Sequence, residues 1–289
     1  MDRNTAVLLI DCPDQKGLVA RVAGLLYAQG ANILHADQHQ DHELGLFFMR
    51  VEWALDEDEA ASERMLAGFR EAFAPMAAEL KMHWQLQRRG RRPRVALFCS
   101  QYLHCLADLL YRANAGELDC EIAIVVSNHR EAEALAEFYG IRFEHVVVTP
   151  ATRLEAEAKQ LALLDALGVE LVVLARYMQI LSDGFVARYP SAIINVHHSF
   201  LPAFIGAKPY HAAHARGVKL IGATSHYVTA ELDDGPIIEQ DVARISHRDQ
   251  VEDLVARGRD LERIVLSRAV EWHLAHRILS YGNKTVVFD

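Results

Sequence analysis

RVALFCS, residues 94–100, is a short run of mostly apolar residues, and four similar runs follow it along the chain. They are EIAIVVS (121–127), HVVVT (145–149), ELVVLAR (170–176) and SAIINV (191–196). Segments with helical spacing of apolar residues lie between them, at residues 103–115, 131–139 and 153–167. Val, Ile and Leu runs that alternate with helices are typical of a parallel sheet covered on both faces. Residues 95–289 are therefore predicted to form a mostly parallel, Rossmann-like α/β domain, with ligands at the carboxyl ends of its strands.

Residues 1–88 predict a smaller α/β unit. TAVLLIDC (5–12) is typical of a strand, and apolar residues at helical spacing over residues 16–29 predict a helix. Two strands (31–39 and 45–53), a helix with an apolar stripe from Leu66 to Leu80 and a closing strand (81–87) complete the pattern. This order, β-α-β-β-α-β, is the split βαβ arrangement of ferredoxin-like folds.

The basic run RRGRRPR (88–94) lies between the two predicted domains. A cluster of arginines is compatible with a phosphate or nucleic-acid patch. Charge runs more often face solvent, however, and a linker between domains is typically polar and contains Gly and Pro, here Gly90 and Pro93. We therefore place an interdomain linker at residues 89–94.

The composition of the 289-residue chain is that of a soluble globular protein, with 51% hydrophobic and 24% charged residues. Its formal net charge of −9 disfavours nucleic acid as a partner, since a nucleic-acid binder needs a positive surface. The N-terminal apolar run is too short for a signal peptide, and no run approaches the ~18 residues that cross a bilayer. The four cysteines have no C-x-x-C spacing and are expected to be free thiols. A cytoplasmic protein with no membrane contact is expected.

Two segments concentrate histidines after the predicted strands: INVHHSFLPAFIGAKPYHAAHARG (194–217) and GATSHYVTAELDDGPII (222–238). One interpretation is a metal site, with His211 and His214 on one helix face and further ligands from His197, His198 and His226. No H-E-x-x-H or comparable signature accompanies them, so no metal ion is predicted. A serine nucleophile at Ser199 or Ser225 is also disfavoured, because the G-x-S-x-G elbow is missing.

A further interpretation uses Asn195, His197 and Asp233 together. Asn195 and His197 alternate at a strand end, so both side chains point to the same side of the strand. An amide N–H beside an imidazole can bind a carbonyl oxygen as it gains negative charge. Asp233, in the turn-forming ELDDGP, can orient the histidine or accept a proton from water. The three groups are sufficient for attack on an acyl carbon through a tetrahedral intermediate, although Asn and Asp also serve as turn formers and caps.

These two segments resemble the N-x-H-x-S-[LF]-L-P and T-x-H-x-V…L-D-x-G-P motifs of the folate-dependent formyltransferase family, in the same order and at compatible separation. The resemblance implies that the Asn195–His197–Asp233 trio acts on 10-formyltetrahydrofolate as substrate, with no tightly bound cofactor. LARYMQILS (174–182) is similar to the segment that lines the pterin in that family. The implied folate contacts are Met178, Ile180, Leu181, Val228, Thr229, Ala230, Glu231 and Leu232. Supporting roles are implied for His198, Lys208, Thr224 and His226.

Three features resemble the hydrolytic branch of this family rather than the branch that formylates glycinamide ribonucleotide. Residues 1–88 look like an ACT domain, which the transferring branch lacks. The glycine-rich phosphate loop of that branch is replaced here by SQYLHC (100–105), which contains no glycine. His198 and Phe200 stand where that branch has proline and leucine. One departure is that Gln101 and Leu103 replace residues of the SKYDHCL that hydrolytic members often carry.

The resemblance thus implies hydrolysis of 10-formyltetrahydrofolate to tetrahydrofolate and formate, in one-carbon metabolism and purine biosynthesis. The alternative within the family is formyl transfer to an amine such as glycinamide ribonucleotide or an aminoacyl-tRNA. The alternative outside it is an ACT-type amino-acid sensor whose C-terminal half only binds folate. A pure binder does not need Asp233 beside the formyl group, and this favours the enzyme.

The N-terminal unit carries its own candidate site. In DCPDQKGLVARVAGLL (11–26), Gly17 lies at a strand-to-helix turn, where backbone N–H groups at the helix start can bind a carboxylate. The ACT resemblance implies a small amino acid as effector, with Asp14, Gly17 and Asn32 as regulatory residues. It also implies edge-to-edge pairing of sheets and therefore a homo-oligomer, a dimer or a tetramer. The alternative is that this unit only assembles the enzyme.

Overall fold

The computed structural model describes residues 4–203 and 209–289, which divide into two compact units. The first takes in the chain up to Arg92 together with Ala275–Leu279 and Val286–Asp289. The second comprises Pro93–Leu274 and Ser280–Thr285. This division differs from the predicted one, in which all of residues 95–289 belong to the second domain, because the two C-terminal segments cluster with the first unit. Among the helices described, none is long and apolar enough to span a membrane.

The first unit is built on a four-stranded antiparallel sheet in the order β2-β3-β1-β4. Its elements follow the predicted order: β1 (Thr5–Pro13), α1 (Leu18–Ala28), β2 (Ile33–Asp41), β3 (Leu46–Ala54), α2 (Glu59–Glu79) and β4 (His83–Arg89). The apolar stripes that predict the two helices are the faces that they bury, as Leu26 of α1 and Phe73 of α2 illustrate. In the core, the ring centres of Trp53 and Phe69 lie 5.1 Å apart.

The basic run between the predicted domains is largely part of the two sheets. Arg88 and Arg89 belong to β4, and Arg94 begins the next strand, so only residues 90–93 connect them. Each of these three arginines has an acidic partner: Arg88 pairs with Glu63 at 3.0 Å, Arg89 with Glu52 at 3.2 Å and Arg94 with Glu121 at 2.9 Å. The linker in the structure is therefore residues 90–93, one residue shorter at each end than the predicted 89–94.

The second unit is built on a seven-stranded sheet in the order β11-β10-β9-β8-β5-β6-β7. Its strands are β5 (Arg94–Cys99), β6 (Glu121–Ser127), β7 (Phe143–His145), β8 (Leu171–Leu174), β9 (Ile193–His197), β10 (Leu220–Tyr227) and β11 (Ile237–Arg244). Its helices are α3 (His104–Asn114), α4 (Glu133–Phe138), α5 (Arg153–Leu167), α6 (Asp183–Val186), α7 (Pro209–Arg216) and α8 (Val251–Leu274). Adjacent strands pair in parallel across the sheet from β9 through β8, β5 and β6 to β7, which confirms the predicted mostly parallel sheet. A separate two-stranded sheet joins β12 (Ile278–Tyr281) and β13 (Lys284–Val287).

In the seven-stranded sheet, the apolar-run pattern misplaces one strand and misses two. HVVVT predicts a strand over residues 145–149, whereas β7 covers Phe143–His145. β7 lies at the sheet edge, and its one neighbour, β6, ends at Ser127, which pairs with His145. Strands β10 and β11, which add an antiparallel edge, escape the pattern because polar residues interrupt their apolar positions.

The order of strands determines where a ligand fits. From β5 the chain proceeds outward to β6 and β7, then returns to the other side of β5 with β8 and β9. The loops after β5 and β8 therefore diverge, and the crevice between them lies at the carboxyl edge of the sheet. Open α/β sheets bind their ligands in such a crevice.

Candidate active site

Strand β9 presents Asn195 and His197 at its carboxyl end. They alternate along the strand, so their side chains lie on the same side of the sheet. Strand β10 fixes their register, because it pairs antiparallel with β9 and places Thr224 opposite His197 and His226 opposite Asn195. His197 is buried, and Asn195 is partly exposed.

Asp233 reaches His197 from the loop that follows β10. Its Oδ2 lies 3.2 Å from His197 Nδ1. The residue has a φ of 56°, a left-handed conformation that Asp tolerates better than most residues. Gly235 allows the loop to fold tightly, since a Cβ there would lie 1.8 Å from the carbonyl oxygen of Tyr227. The structure thus brings Asn195, His197 and Asp233 together, although they span 39 residues of sequence.

The neighbouring histidines keep Asp233 ionised. The hydrogen bond from His197 lowers the pKa of the Asp233 carboxyl, and this effect outweighs partial burial, which acts in the opposite direction. A positive charge on His197 acts in the same sense as the hydrogen bond. An ionised Asp233 accepts a hydrogen bond from His197 Nδ1–H, which leaves Nε2 as the nitrogen that faces a ligand.

His226 fixes the orientation of Asn195. The Nδ1 of His226 lies 2.9 Å from the carbonyl oxygen of Tyr227, which can only accept, so Nδ1 carries a proton. Burial lowers the pKa of His226, so its Nε2 is unprotonated at neutral pH. That nitrogen accepts a hydrogen bond from the Asn195 amide at 3.1 Å. The Asn195 amide therefore has its NH2 group directed toward the histidines.

The Nε2 atom of His197 is buried and has no hydrogen-bond partner among the described residues. Buried polar groups normally have a partner, and an exception in the lining of a cavity indicates a ligand-binding atom. The ring centre of His198 lies 5.2 Å from that of His197 and 6.0 Å from that of Tyr210. Lys208, the remaining charged residue of this segment in the sequence prediction, lies outside the described residues.

Thr224 holds the loop that follows β9. Its buried Oγ1 donates to the carbonyl oxygen of Ser199 at 2.9 Å and accepts from the backbone N–H of Leu201 at 3.1 Å. Its contacts are therefore structural. The hydroxyl of Ser199 donates to the carbonyl oxygen of Ala203 at 2.8 Å, which is a loop contact rather than a nucleophile–base pair.

A cavity of about 300 Å³ opens in front of these side chains. Asn195, His197, His226 and Asp233 are among the residues that line it. The remaining walls come from the segment after β8 and the loop before Asp233, and they include every folate contact in the sequence prediction: Met178, Ile180, Leu181, Val228, Thr229, Ala230, Glu231 and Leu232. The lining also includes Arg176, Tyr177 and Gln179, for which the sequence carries no separate signal.

The histidines considered as metal ligands do not form one cluster. His211 and His214 are exposed on α7, away from the buried His197 and His226. Within the described ranges, the group close enough to share a metal ion is His104, Cys105 and Glu262, whose ligand atoms lie within 4.8 Å of one another. Glu262 already accepts from His104 at 2.7 Å and lies 3.5 Å from the guanidinium of Arg176, which disfavours a second cation.

All four cysteines are free and buried. Burial raises the pKa of Cys99 and of Cys12 to about 11 and also raises that of Cys105. Thiols in this state are poor nucleophiles and poor metal ligands.

In the first unit, Asp14 and Gly17 line an open cavity beside the start of α1. Gly17 has a φ of 88° and precedes the first helical residue, Leu18. Gln40 closes one side of the cavity by donating to Asp14 at 3.0 Å. Asn32 is not among the residues that line this cavity.

Comparison with known proteins places both units in families. Residues 93–270 match the formyl transferase family, and residues 6–66 match the ACT domain. The chain is 52% identical over its full length, and over the full length of the relative, to a formyltetrahydrofolate deformylase of Synechocystis sp.. Among solved structures, a formyltetrahydrofolate deformylase from Pseudomonas syringae pv. tomato is 49% identical, with a TM-score of 0.93 over 99% of this chain and 95% of that one.

A more distant likeness covers only part of the chain. Glycinamide ribonucleotide transformylase 1 from Symbiobacterium toebii is 30% identical, with a TM-score of 0.66 over 71% of this chain and 98% of that one. The chain therefore belongs to the formyl transferase family and, within it, to the group of ACT-containing proteins named formyltetrahydrofolate deformylase.

Proposed function

We propose that the protein hydrolyses 10-formyltetrahydrofolate to tetrahydrofolate and formate. The observation that carries this proposal is the Asn195–His197–Asp233 cluster, with its buried, unpartnered His197 Nε2, in a cavity also lined by the predicted folate contacts. Identity over the full chain to relatives of that name supports the same reaction.

The formyl oxygen is placed between two donors. The Asn195 amide, directed by His226, supplies one N–H, and protonated His197 supplies another from Nε2. When water attacks the formyl carbon, the carbonyl oxygen becomes an oxyanion, and both donors stabilise it. Donors aimed at this developing charge account for much of the rate enhancement in acyl transfer.

Asp233 has two tasks in this scheme. Its carboxylate accepts a hydrogen bond from His197 Nδ1–H and stabilises the imidazolium, the form in which Nε2 is also a donor. It also receives a proton from the attacking water as the carbon–oxygen bond forms. That proton passes to the folate nitrogen as the carbon–nitrogen bond breaks, and the formic acid that forms loses its remaining acidic proton to solvent, so that tetrahydrofolate and formate leave.

The loop after β5 favours water over a phosphorylated amine as the acceptor. Ser100 is committed to the fold, since its hydroxyl donates to Asn128 at 2.7 Å and accepts from the backbone of Met178 at 3.0 Å. Tyr102 and His104 then place side chains where a glycine loop would expose backbone N–H groups to a phosphate. Formyl transfer to an amine remains the alternative function, favoured only by the more distant likeness.

The proposed trio is tested by two variants. Asn195→Ala removes an oxyanion donor and Asp233→Asn removes the carboxylate without changing its shape. Each is expected to lower kcat for formate release on the order of a hundredfold or more. Folate binding, followed by fluorescence quenching, is expected to persist in both, because the walls of the cavity are unchanged. Near-normal turnover in either variant would exclude the assigned roles.

Metal removal supplies a second check on the same scheme. Activity is expected to survive dialysis against a strong chelator, because the mechanism uses only side chains of this chain. Loss of turnover that zinc restores would point instead to a metal mechanism.

We further propose that the protein works in the cytoplasm as a homo-oligomer and holds no tightly bound cofactor. The edge strand β2 supports assembly, since all its residues are exposed or only partly buried and one of its two edges pairs with no strand of the described residues. An amino-acid effector at Asp14 and Gly17 is proposed on the ACT match and on the open cavity there.

A further inference from the structure

A second cavity, of about 360 Å³, lies next to the folate cavity. Arg176, Met178 and His198 line both, so the two cavities share a wall. The second cavity is bounded by Tyr102 from the loop after β5 and Arg176 from the loop after β8. It therefore occupies the crevice where the strand order reverses, the place at which open α/β sheets bind ligands.

Arg176 is held in this wall at a cost. It has a φ of 64°, an uncommon left-handed conformation for a long side chain. Only 8% of the residue is exposed, and its Nε and Nη1 atoms make no hydrogen bond within the described residues. The carboxylate oxygen Glu262 Oε2 lies 3.5 Å from Nε, which is close enough for charge attraction but too far for a good hydrogen bond. A buried guanidinium with free N–H groups is a site for an anion.

Glu262 is occupied by other donors. Its Oε1 accepts from the hydroxyl of Tyr210 at 2.7 Å, and its Oε2 accepts from His104 Nε2 at 2.7 Å. Burial raises the pKa of Glu262, but the hydrogen bond from His104 and the charge of Arg176 outweigh it, so the pKa is lowered and the carboxylate is ionised.

A second guanidinium leaves the cavity with an excess of positive charge. Arg259 lies 5.8 Å from the ring centre of Tyr102, on which Arg176 also packs, at 5.3 Å. No ion pair involves Arg259 in the part of the chain that the structure describes. Two guanidinium groups face one carboxylate, so the cavity carries about one unbalanced positive charge when its histidines are neutral.

We propose that this cavity binds the carboxylate of formate through Arg176, while tetrahydrofolate still occupies the neighbouring cavity. The inference rests on the proposed function, in which hydrolysis creates a new anion in the folate cavity, which shares Arg176, Met178 and His198 with this second cavity. Formate can accept charge-assisted hydrogen bonds from the unpartnered N–H groups of Arg176, and such bonds are stronger than those between neutral groups. The remaining volume provides a route for the outgoing formate and for the next water.

Calorimetric titration of sodium formate into the full-length protein, kept saturated with tetrahydrofolate under anaerobic conditions, tests this directly. The wild type is expected to bind formate in the presence of tetrahydrofolate. Formate is also expected to inhibit turnover non-competitively with respect to 10-formyltetrahydrofolate, because the two occupy different cavities.

Variants locate the site. Arg176→Gln is expected to weaken formate binding by about tenfold or more, the effect of losing a charged hydrogen-bonding partner. Arg259→Gln, an exposed change that leaves folding intact, is expected to weaken it several-fold. Glu262→Gln is expected to strengthen it, because it removes the negative charge that competes for Arg176. Arg268→Gln, a matched change on the same helix at a residue that pairs with Glu239 and Asp241, is expected to have no effect.

Three results would overturn the inference: no formate binding to the tetrahydrofolate complex, equal affinities in Arg176→Gln and Arg268→Gln, or tighter binding of inorganic phosphate than of formate. A protein that hydrolyses the substrate but gives one of these results contradicts this inference alone. A protein that releases no formate from 10-formyltetrahydrofolate contradicts the proposed function, whatever the titration gives.

Discussion

At the scale of single residues, the site depends on which imidazole nitrogens carry protons. His226 must remain neutral to accept from Asn195, and burial keeps it so by lowering its pKa from an ordinary value of about 6.5. Between its folded and unfolded pKa values, the unfolded chain binds more protons than the folded chain. The free energy of unfolding is therefore expected to fall as the pH drops below about 6.5.

Urea unfolding of the wild type and of His226→Gln, from neutral pH to about pH 5, measures this term. Asp233 and Glu262 also have lowered pKa values, but their contributions are present above the unfolded values of about 4 and are lost only at lower pH. The wild type is expected to lose more stability over this window than the variant. Equal losses would contradict the assignment of a neutral, buried His226.

The sequence predicts some residues of the site better than others. Asn195, His197 and Asp233 are predictable because strand alternation and a turn place them, and both signals are local. Arg176 follows a strand, as many polar residues do, and no neighbouring residue in the sequence predicts its left-handed backbone conformation. Glu262 reads as one more solvated charge on a long helix, because its partners His104 and Tyr210 are 158 and 52 residues away.

At the scale of elements, the approach of α7 to α8 is set by a single glycine. A Cβ at Gly258 of α8 would lie 2.0 Å from the hydroxyl of Tyr210, which reaches across to Glu262. Gly258→Ala is therefore expected to displace Tyr210 and to lower the free energy of unfolding by about 1–3 kcal/mol, the cost of overpacking. Urea denaturation measures it.

Gly68→Ala in α2 is the matched control. A Cβ there would meet only Gln29 Oε1, at 3.7 Å, which is an ordinary contact. Since alanine favours helix by up to about 1 kcal/mol over glycine, this change is expected to be neutral or stabilising. An equal loss of stability in both variants would show that the clash with Tyr210 is not the cause of the loss in Gly258→Ala.

The bounds of a helix or strand were predictable from the sequence where all its apolar residues pack against the same neighbouring surface. The helices α1 and α5 follow their periodic patterns to within about two residues at each end, the usual uncertainty of helix boundaries, whereas α2 begins at Glu59, well before the apolar stripe that starts at Leu66. Strand β7 does not, because its length is set by where β6 ends and not by the apolar residues that follow His145.

For the molecule as a whole, the two units make it possible that a ligand of the first unit regulates the activity of the second. If the cavity at Gly17 binds an amino acid that controls the catalytic unit, the two sites share a coupling free energy of about 1–3 kcal/mol, or roughly a 5- to 150-fold change in affinity. We expect glycine, methionine or another small amino acid to change the rate of formate release, and Gly17→Val to abolish the response. Steady-state assays against a panel of amino acids measure it.

Gly116→Val is the control for this change, since Gly116 also has a positive φ, 75°, but lies in the second unit. Its response to the effector is expected to match that of the wild type. A flat response to every amino acid, with kinetics unchanged by Gly17→Val, would leave the N-terminal unit with an assembly role only.

Water, not an amine, accepts the formyl group in the proposed reaction. The most direct measurement is incubation of the pure protein with 10-formyltetrahydrofolate, with formate and tetrahydrofolate quantified with and without glycinamide ribonucleotide. We expect equal amounts of formate and tetrahydrofolate, at a rate that glycinamide ribonucleotide neither slows nor diverts. Formylated glycinamide ribonucleotide, produced at a rate comparable to formate release, would contradict the account.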